Sequence, residues 1–181
     1  MKKITFITGN EGKTAELSRL LGFSLDHKKI ELDEIQELDL EKLIRNKALS
    51  AFALIKSPVL VEDTSLTFEA LGKMPGPFIK WFLKEMGNEG LCTLLNAFTN
   101  RRALFTSMFA YHDGNEMKLF SKSIGGTISN KPKGDNGFGW DAIFIPTGAT
   151  KTRAEMTHEE QDTYTARKLL IPLLKEFFKQ K

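Results

Sequence analysis

Residues 3–21, with the sequence KITFITGNEGKTAELSRLL, combine an apolar run, a glycine loop and an amphipathic segment. The β-branched and aromatic residues in 3–8 predict a buried strand. A loop at 9–12 interrupts the strand, and the leucines that follow Lys13 predict a helix that ends at Gly22. A strand–loop–helix of this kind directs backbone N–H groups and the positive helix end to one place, which suits an anion. A plain turn with a surface lysine is the alternative, and the glycine spacing is not that of a P-loop.

Further along the chain, predicted strands and helices alternate. Apolar residues at spacings of three and four predict a helix at 39–56 with Asp39 as its N-cap. The other predicted elements are a strand at 59–61 that ends on Glu62-Asp63-Thr64, helices at 78–86 and 89–98, strands at 103–112, 116–129 and 142–145, and a C-terminal helix. This order predicts an α/β fold for one domain over residues 1–181, with a mixed β-sheet in two lobes flanked by helices and a central cleft.

Composition excludes several classes of protein. Hydrophobic residues make up 41% of the chain and charged residues 27%, as in ordinary globular domains. No apolar run reaches the roughly 20 residues needed to cross a membrane, and the N-terminal run is too short for a signal peptide. The single cysteine, Cys92, rules out an intramolecular disulfide, and its leucine neighbours favour a buried side chain over a nucleophile. We therefore expect a cytoplasmic protein without a membrane partner.

Two acidic segments carry the oxygen ligands that a hard cation needs. Glu62-Asp63 follows a very apolar strand, where unpaired carboxylates are costly to bury. Carboxylates at the end of such a strand suit Mg²⁺, which combines a few protein oxygens with water and phosphates. A helix cap or turn ahead of Thr64 is the alternative. Glu34 would complete the set, although by itself, among its acidic neighbours, it is more typical of a solvated face.

Two lysines and one glycine loop stand out for their apolar surroundings. Lys47 lies on the apolar side of its predicted helix and Lys80 lies between bulky residues, which fits either contact with an anion or a lysine that extends to solvent. Residues 137–141, with the sequence GFGWD, place two aromatic rings and Asp141 on a flexible backbone. Such rings stack on nucleobases, and a carboxylate accepts hydrogen bonds from ring N–H groups. A structural turn with core aromatics is the alternative.

Other chemistries lack their sequence signatures. His27, His112 and His158 are scattered, without the HExxH or CxxC spacing of zinc sites. No GxSxG elbow or Cys–His arrangement indicates covalent catalysis. Basic and aromatic residues do not alternate along one segment, and a net charge of +3 gives little support for a polyanion, so a nucleic-acid partner is not expected.

Five blocks of sequence, taken together, are similar to one known family. The blocks are TGNEGKTAEL at 8–17, ELDEIQELD at 31–39, PVLVEDTSLTFEALGKMPGPFIKWF at 58–82, GFGWDAIF at 137–144 and AEMTHEEQDTYTARKLL at 154–170. Over essentially its whole length the chain resembles the inosine triphosphate pyrophosphatase family, the Ham1-like enzymes. The resemblance implies a two-lobed α/β fold, a homodimer, Mg²⁺ as cofactor and a nucleoside triphosphate as small-molecule partner. It implies hydrolysis of ITP, dITP and XTP to the monophosphate and pyrophosphate.

The resemblance also implies roles for single residues. The residues that match the family's triphosphate loop are Thr8, Gly9, Asn10, Glu11, Gly12 and Lys13. Glu34 and Asp63 match its Mg²⁺ ligands, and Asp63 also matches its proton acceptor, so Asp63 and Lys13 are the predicted catalytic residues. The other positions predicted to bind substrate are Lys47, Thr64, Lys80, Phe138, Gly139, Trp140, Asp141, Gln161 and Arg167.

At two positions that recognise the base in the family, this chain has a different residue. This chain has Gln161 where the family usually has lysine, and Ala166 where it usually has histidine. A lysine or protonated histidine only donates hydrogen bonds and so favours a 6-oxo purine, whereas a glutamine donates or accepts and an alanine does neither. Two alternatives therefore stay open: the same reaction with altered base selectivity, and a nucleotide-binding protein without activity. Intact Glu34, Asp63 and Lys13 argue against the second.

Overall fold

The computed structural model describes residues 3–9 and 11–181, and within them seven strands form one mixed sheet. The strands are β1 Thr5–Ile7, β2 Asp26–Lys28, β3 Val59–Phe68, β4 Pro75–Gly76, β5 Arg102–His112, β6 Met117–Ile128 and β7 Phe144–Pro146. The α-helices are α1 Glu11–Leu21, α2 Leu40–Ile55, α3 Ile79–Leu94, α4 His158–Thr163 and α5 Ala166–Phe178. The strand order is β2-β1-β3-β5-β6-β7, with β4 paired to β3. The predicted α/β class with a mixed sheet is confirmed.

Local signals in the sequence determine most boundaries. Gly22, with φ of 84°, follows the end of α1. Asp39 caps α2 by accepting hydrogen bonds from the backbone N–H groups of Glu41 and Lys42, as predicted. Gly87, with φ of 64°, interrupts α3 between the two helical segments predicted there. The strands predicted at 103–112 and 116–129 are confirmed as β5 and β6, which are neighbours in the sheet.

Three elements differ from the prediction. β3 does not end at 62–64 but continues to Phe68, because Leu66 and Phe68 bury their side chains beyond the polar segment. β2 contains only three residues, all polar, so it lacks the apolar signal from which strands are predicted. The helix predicted over the last 20 or so residues is α5, and the short helix α4 before it is not predicted.

The described residues form two compact units. The first unit comprises the residues up to Asp63, Ser107–Lys122 and Leu169–Lys181, and the second comprises Thr64–Thr106 and Ser123–Lys168. β3, β5 and β6 contribute residues to both units. The predicted cleft stays a prediction. No helix in the described part of the chain is both long enough and apolar enough to cross a membrane.

In the first unit, successive residues of β3 pack into two different hydrophobic clusters. Leu60 belongs to a cluster with residues of α1 and α5, whereas Val59 and Val61 belong to a cluster with residues of α2. Each such burial stabilises the fold by about 1.5–3 kcal/mol. Because neighbouring side chains of a strand point to opposite faces, Glu62 is directed to the α1 face and Asp63 to the α2 face.

The second unit has its own core, in which Cys92 is buried beside Leu91 and Leu95. Burial raises the pKa of the Cys92 thiol, so little reactive thiolate forms at neutral pH. We expect Cys92 to react with Ellman's reagent at least about a hundredfold more slowly in the native protein than in denaturant. Equal rates in the two conditions, followed by absorbance, would contradict the buried position.

Candidate functional site

In the first unit, β1, β2 and the first part of β3 run parallel, and β1 and β2 end at the same edge of the sheet. β1 pairs in parallel with β2 on one side and with β3 on the other. Thr8 follows β1 and donates its backbone N–H to the Lys28 carbonyl at 3.3 Å. The Thr8 carbonyl accepts a hydrogen bond from Nε2 of His27 at 2.8 Å. Ligands of α/β folds bind at this kind of edge. The predicted phosphate loop therefore begins at a suitable place, although Asn10 lies outside the described residues.

The first turn of α1 contains Glu11, Gly12 and Lys13. Backbone N–H groups of a first turn have no acceptor within their own helix, so they are donors for an anion. Nζ of Lys13 lies 3.6 Å from a carboxylate oxygen of Glu62, on the α1 face of β3. The Glu62 side chain is nearly buried, whereas the Lys13 side chain is about one-third exposed. The carboxylate thus holds the ammonium close to the helix end.

On the opposite face of β3, Lys47 of α2 bridges two carboxylates. Its Nζ lies 2.9 Å from Oδ2 of Asp63 and 3.0 Å from Oε1 of Glu34. Only 18% of the Lys47 side chain is exposed. Burial alone would lower the pKa of Lys47, but the charges and hydrogen bonds of Asp63 and Glu34 outweigh burial and raise that pKa. The ammonium therefore stays charged at neutral pH and brings together two acids that are far apart in the sequence.

Glu34 and Asp63 supply carboxylate oxygens, the ligands that Mg²⁺ prefers. Their shared contact with the Lys47 ammonium shows that one cation reaches both acids at once. Within residues 3–9 and 11–181, no group of three or more His, Cys, Asp or Glu side chains is arranged to hold a metal ion. A pair of carboxylates is nevertheless sufficient where phosphates and water supply the other ligands of Mg²⁺. The pair fits a metal that arrives with a phosphate ligand.

The second unit contains the predicted aromatic loop at 137–141. The side chain of Phe138 is 77% exposed. Trp140 is partly buried against the core and packs edge-on against Phe105, with ring centres 5.7 Å apart. The two rings therefore differ: Trp140 is a core aromatic, whereas Phe138 is exposed, and its stacking on a base stays a prediction.

Asp141 anchors the same loop from inside. Its Oδ2 accepts a hydrogen bond from the backbone N–H of Phe138 at 3.1 Å, and its Oδ1 accepts one from Nε of Arg153 at 2.7 Å. Gly137 has φ of 85° and leaves no room for a Cβ beside this carboxylate. Asn88 of α3 donates from Nδ2 to the loop carbonyl of Gly139 at 2.9 Å. The geometry gives Asp141 a role in shaping the loop, and its hydrogen bond to a base stays a prediction.

Arg153, which no motif in the sequence singles out, links this loop to α4. Its Nη1 donates to the carbonyls of Gln161 and Tyr164 at 3.1 and 2.6 Å. The buried side chain of Gln161 in turn donates from Nε2 to the Arg153 carbonyl at 2.7 Å. A single arginine in the sequence gives no signal of these contacts, because its partners lie on other segments.

Three other predicted substrate contacts lie elsewhere in the second unit. Lys80 is the exposed second residue of α3, and its Nζ lies 5.5 Å from the centre of the Trp81 ring. Thr64 lies within β3, and Arg167 is the second residue of α5. Its neighbour Ala166 is buried in the core. In the first unit, Glu34 and Asp63 thus meet at Lys47, and Lys13 lies beside Glu62 on the opposite face of β3. In the second unit, Arg153 links Asp141 to Gln161.

Comparisons with known sequences extend over nearly the whole chain. Residues 4–177 match the model of the Ham1 family. Inosine triphosphate pyrophosphatase 2 of Trypanosoma cruzi is 44% identical over 180 residues, which cover 97% of this chain and 92% of that protein. Inosine triphosphate pyrophosphatase of Schizosaccharomyces pombe is 37% identical over 181 residues, which cover 98% of this chain and 95% of that protein.

Solved structures also match this chain over nearly its whole length. The Ham1 protein of Staphylococcus aureus has a TM-score of 0.87 at 25% identity, covering 98% of this chain and 99% of that chain. The nucleoside-triphosphatase / dITP/XTP pyrophosphatase of Mycobacterium abscessus has a TM-score of 0.81 at 29% identity, covering 95% of this chain and 98% of that chain. The similarity therefore includes both units.

Proposed function

Because the chain belongs to the Ham1 family, we propose that it hydrolyses triphosphates of non-standard purine nucleosides, such as ITP, dITP and XTP, to the monophosphate and pyrophosphate. The relatives named inosine triphosphate pyrophosphatase support this reaction. The observation that carries the proposal is the Lys47 bridge, which holds Glu34 and Asp63 where one cation contacts both. The alternative of a binding protein without activity is not favoured, since mere binding has less need of these acids.

We propose that Mg²⁺ is the cofactor and that Glu34 and Asp63 hold it. When bound, the ion neutralises charge on the phosphoryl oxygens. Lys13, Lys47 and the first-turn N–H groups of α1 add positive charge for the triphosphate, and Lys80 is a further proposed phosphate contact. Hydrolysis of a phosphoric anhydride depends on this charge stabilisation and on a positioned water more than on a covalent intermediate.

Asp63 is the proposed proton acceptor for the attacking water. The hydrogen bond from Lys47, 2.9 Å long, fixes the orientation of its Oδ2. As the water oxygen attacks phosphorus, the carboxylate takes a proton from the water, and pyrophosphate leaves with the electron pair of the broken P–O bond. Lys47 is therefore both a charge for the phosphates and a positioning group for the acceptor.

The base is proposed to contact the loop at 137–141 and Gln161. The exposed ring of Phe138 is available for stacking, which contributes about 1–3 kcal/mol per base in comparable sites. Gln161 donates one Nε2 hydrogen to the Arg153 carbonyl. Its amide therefore has fewer hydrogen-bond donors for a purine oxygen than a lysine has. Ala166 offers no hydrogen bond at all. These contacts favour weakened selectivity between bases over a change of reaction.

We expect ITP and XTP to be the better substrates, but with kcat/KM less than about a hundredfold above that of ATP, because a donor matched to the 6-oxo group is missing. Pyrophosphate release from ITP, XTP, ATP, GTP and dUTP measures the ratio, and Gln161→Lys, which restores a donor, should increase it. A wild-type ratio of about a hundredfold or more would exclude weakened selectivity. Absence of release from every nucleotide would overturn the proposed reaction.

The assembly and location are also proposals. We propose a cytoplasmic homodimer in which residues 1–181 form a single two-lobed domain, as the resemblance to the family implies. The chain mass is 20.4 kDa, so static light scattering distinguishes a dimer from a monomer directly. The single buried cysteine is compatible with a reducing compartment.

A further inference from the structure

Arg153 joins three segments of the second unit through four polar contacts. Its Nε–H reaches Asp141 in the aromatic loop, and its Nη1 reaches the carbonyls of Gln161 and Tyr164 at the end of α4. Its own carbonyl accepts from Nε2 of Gln161. One side chain and its backbone thus contact both parts of the proposed base site, the loop and the Gln161 amide.

The ion pair at the centre of this arrangement is buried. The side chains of Arg153 and Asp141 are 11% and 10% exposed. A carboxylate with so little water needs a cation and hydrogen-bond donors, and the guanidinium supplies both. Asp141 in turn accepts from the backbone N–H of Phe138. The placement of the exposed Phe138 ring therefore depends on Asp141, and the placement of Asp141 depends on Arg153.

The backbone around Arg153 is well fixed. Thr152 and Glu155 form a capping box around the short 3₁₀ helix Arg153–Glu155. The backbone N–H of Ala154 donates to the Asp141 carbonyl at 3.0 Å, and the backbone N–H of Asn136 donates to the Ala154 carbonyl at 3.0 Å. The guanidinium is thus presented from a rigid segment that already borders the loop.

We propose that Arg153 is a positioning residue for base recognition, which sets the Phe138 ring and the Gln161 amide in their relative places. This inference rests on the proposed function and deepens it, because it assigns selectivity for the base to a residue that itself need not touch substrate. Lysine is an incomplete replacement, since one ammonium keeps the charge beside Asp141 but lacks the planar fork that also serves the carbonyls at the end of α4.

The test separates binding of the base from binding of the phosphates. In Arg153→Gln and Arg153→Lys, we expect KM for ITP to rise about tenfold and about threefold, with kcat changed less than about twofold, because stacking geometry is lost while the reacting groups are not. The Ki of inorganic tripolyphosphate, a competitor without a base, should be unchanged. Arg102→Gln is the control, because Arg102 makes an exposed ion pair with Glu69 in the same unit.

Each outcome is decisive. An unchanged KM for ITP in a folded variant, or a Ki for tripolyphosphate that rises by the same factor as KM, would overturn the role of Arg153. If Arg153→Gln does not fold, as judged by circular dichroism, Arg153→Lys carries the test by itself. Failure of the proposed function is seen separately, since wild-type protein would then release no pyrophosphate from ITP.

Discussion

Replacement of Asp63 by asparagine is expected to lower kcat for ITP by about a thousandfold or more, within a protein that still folds. The change keeps the shape of the side chain and an oxygen that accepts from Lys47, so the packing around this residue of β3 is retained. It removes the negative charge proposed to bind Mg²⁺ and the basicity proposed to take the proton from water. Both losses act on the chemical step, so kcat should fall far more than KM rises. Steady-state pyrophosphate release measures the change.

The matched control is Asp26→Asn. Asp26 lies in β2 of the same unit, is partly exposed and pairs with Lys3 at 2.9 Å, so it shares the residue type and the unit but not the site. Its kcat and melting temperature should stay close to those of the wild type, because exposed ion pairs contribute little. A kcat of Asp63→Asn above about one-tenth of the wild-type value would remove Asp63 from the mechanism.

Lys47→Met is expected to lower kcat/KM for ITP about a hundredfold or more and to destabilise the protein by about 1–3 kcal/mol in the absence of metal. The ammonium lies between Asp63 and Glu34, so its removal takes away the positive charge that these two carboxylates share. The effect does not depend on pH near neutrality. The raised pKa of Lys47 means that the stabilisation is fully present below its unfolded value and is lost only as pH rises through the still higher folded value.

Mg²⁺ should partly replace the missing ammonium in this variant. We expect added Mg²⁺ to raise the melting temperature of Lys47→Met by several degrees more than that of the wild type, because a ligand stabilises most where it relieves repulsion. Lys42→Met is the control, since Lys42 is an exposed lysine of α2 that pairs with Glu37 at 3.6 Å. Equal shifts in wild type and Lys47→Met would show that metal and ammonium do not act on the same carboxylates.

The parts of the fold that can be predicted are those that a single residue or a short segment determines. The glycine after α1 and the Asp39 cap mark helix ends through the conformation or hydrogen bonding of one residue. The sequence does not predict β2, because residues 26–28 have no apolar pattern. They form a strand only through pairing with β1. The sequence predicts an end of β3 that is too early, because the polar residues 62–64 are typical of a strand end although the strand continues past them.

In the candidate site, too, some residues can be predicted from the sequence, whereas their contacts cannot. Asp63 and the aromatic loop stand out in the sequence, and Lys47 stands out because a charge on an apolar helix face needs a partner. The partner itself, a carboxylate on β3, depends on the packing of α2 against the sheet. The contacts of Arg153 depend on the meeting of three separate segments, and no spacing in the sequence encodes them.

Product analysis of ITP hydrolysis tests the central claim most directly. Wild-type protein with ITP and Mg²⁺ should form IMP and pyrophosphate in equal amounts, resolved by ³¹P NMR, and EDTA should stop the reaction. The Asp63→Asn protein should form almost none of either product in the same time. Formation of IDP and orthophosphate, or equal rates in the wild type and Asp63→Asn, would contradict the account.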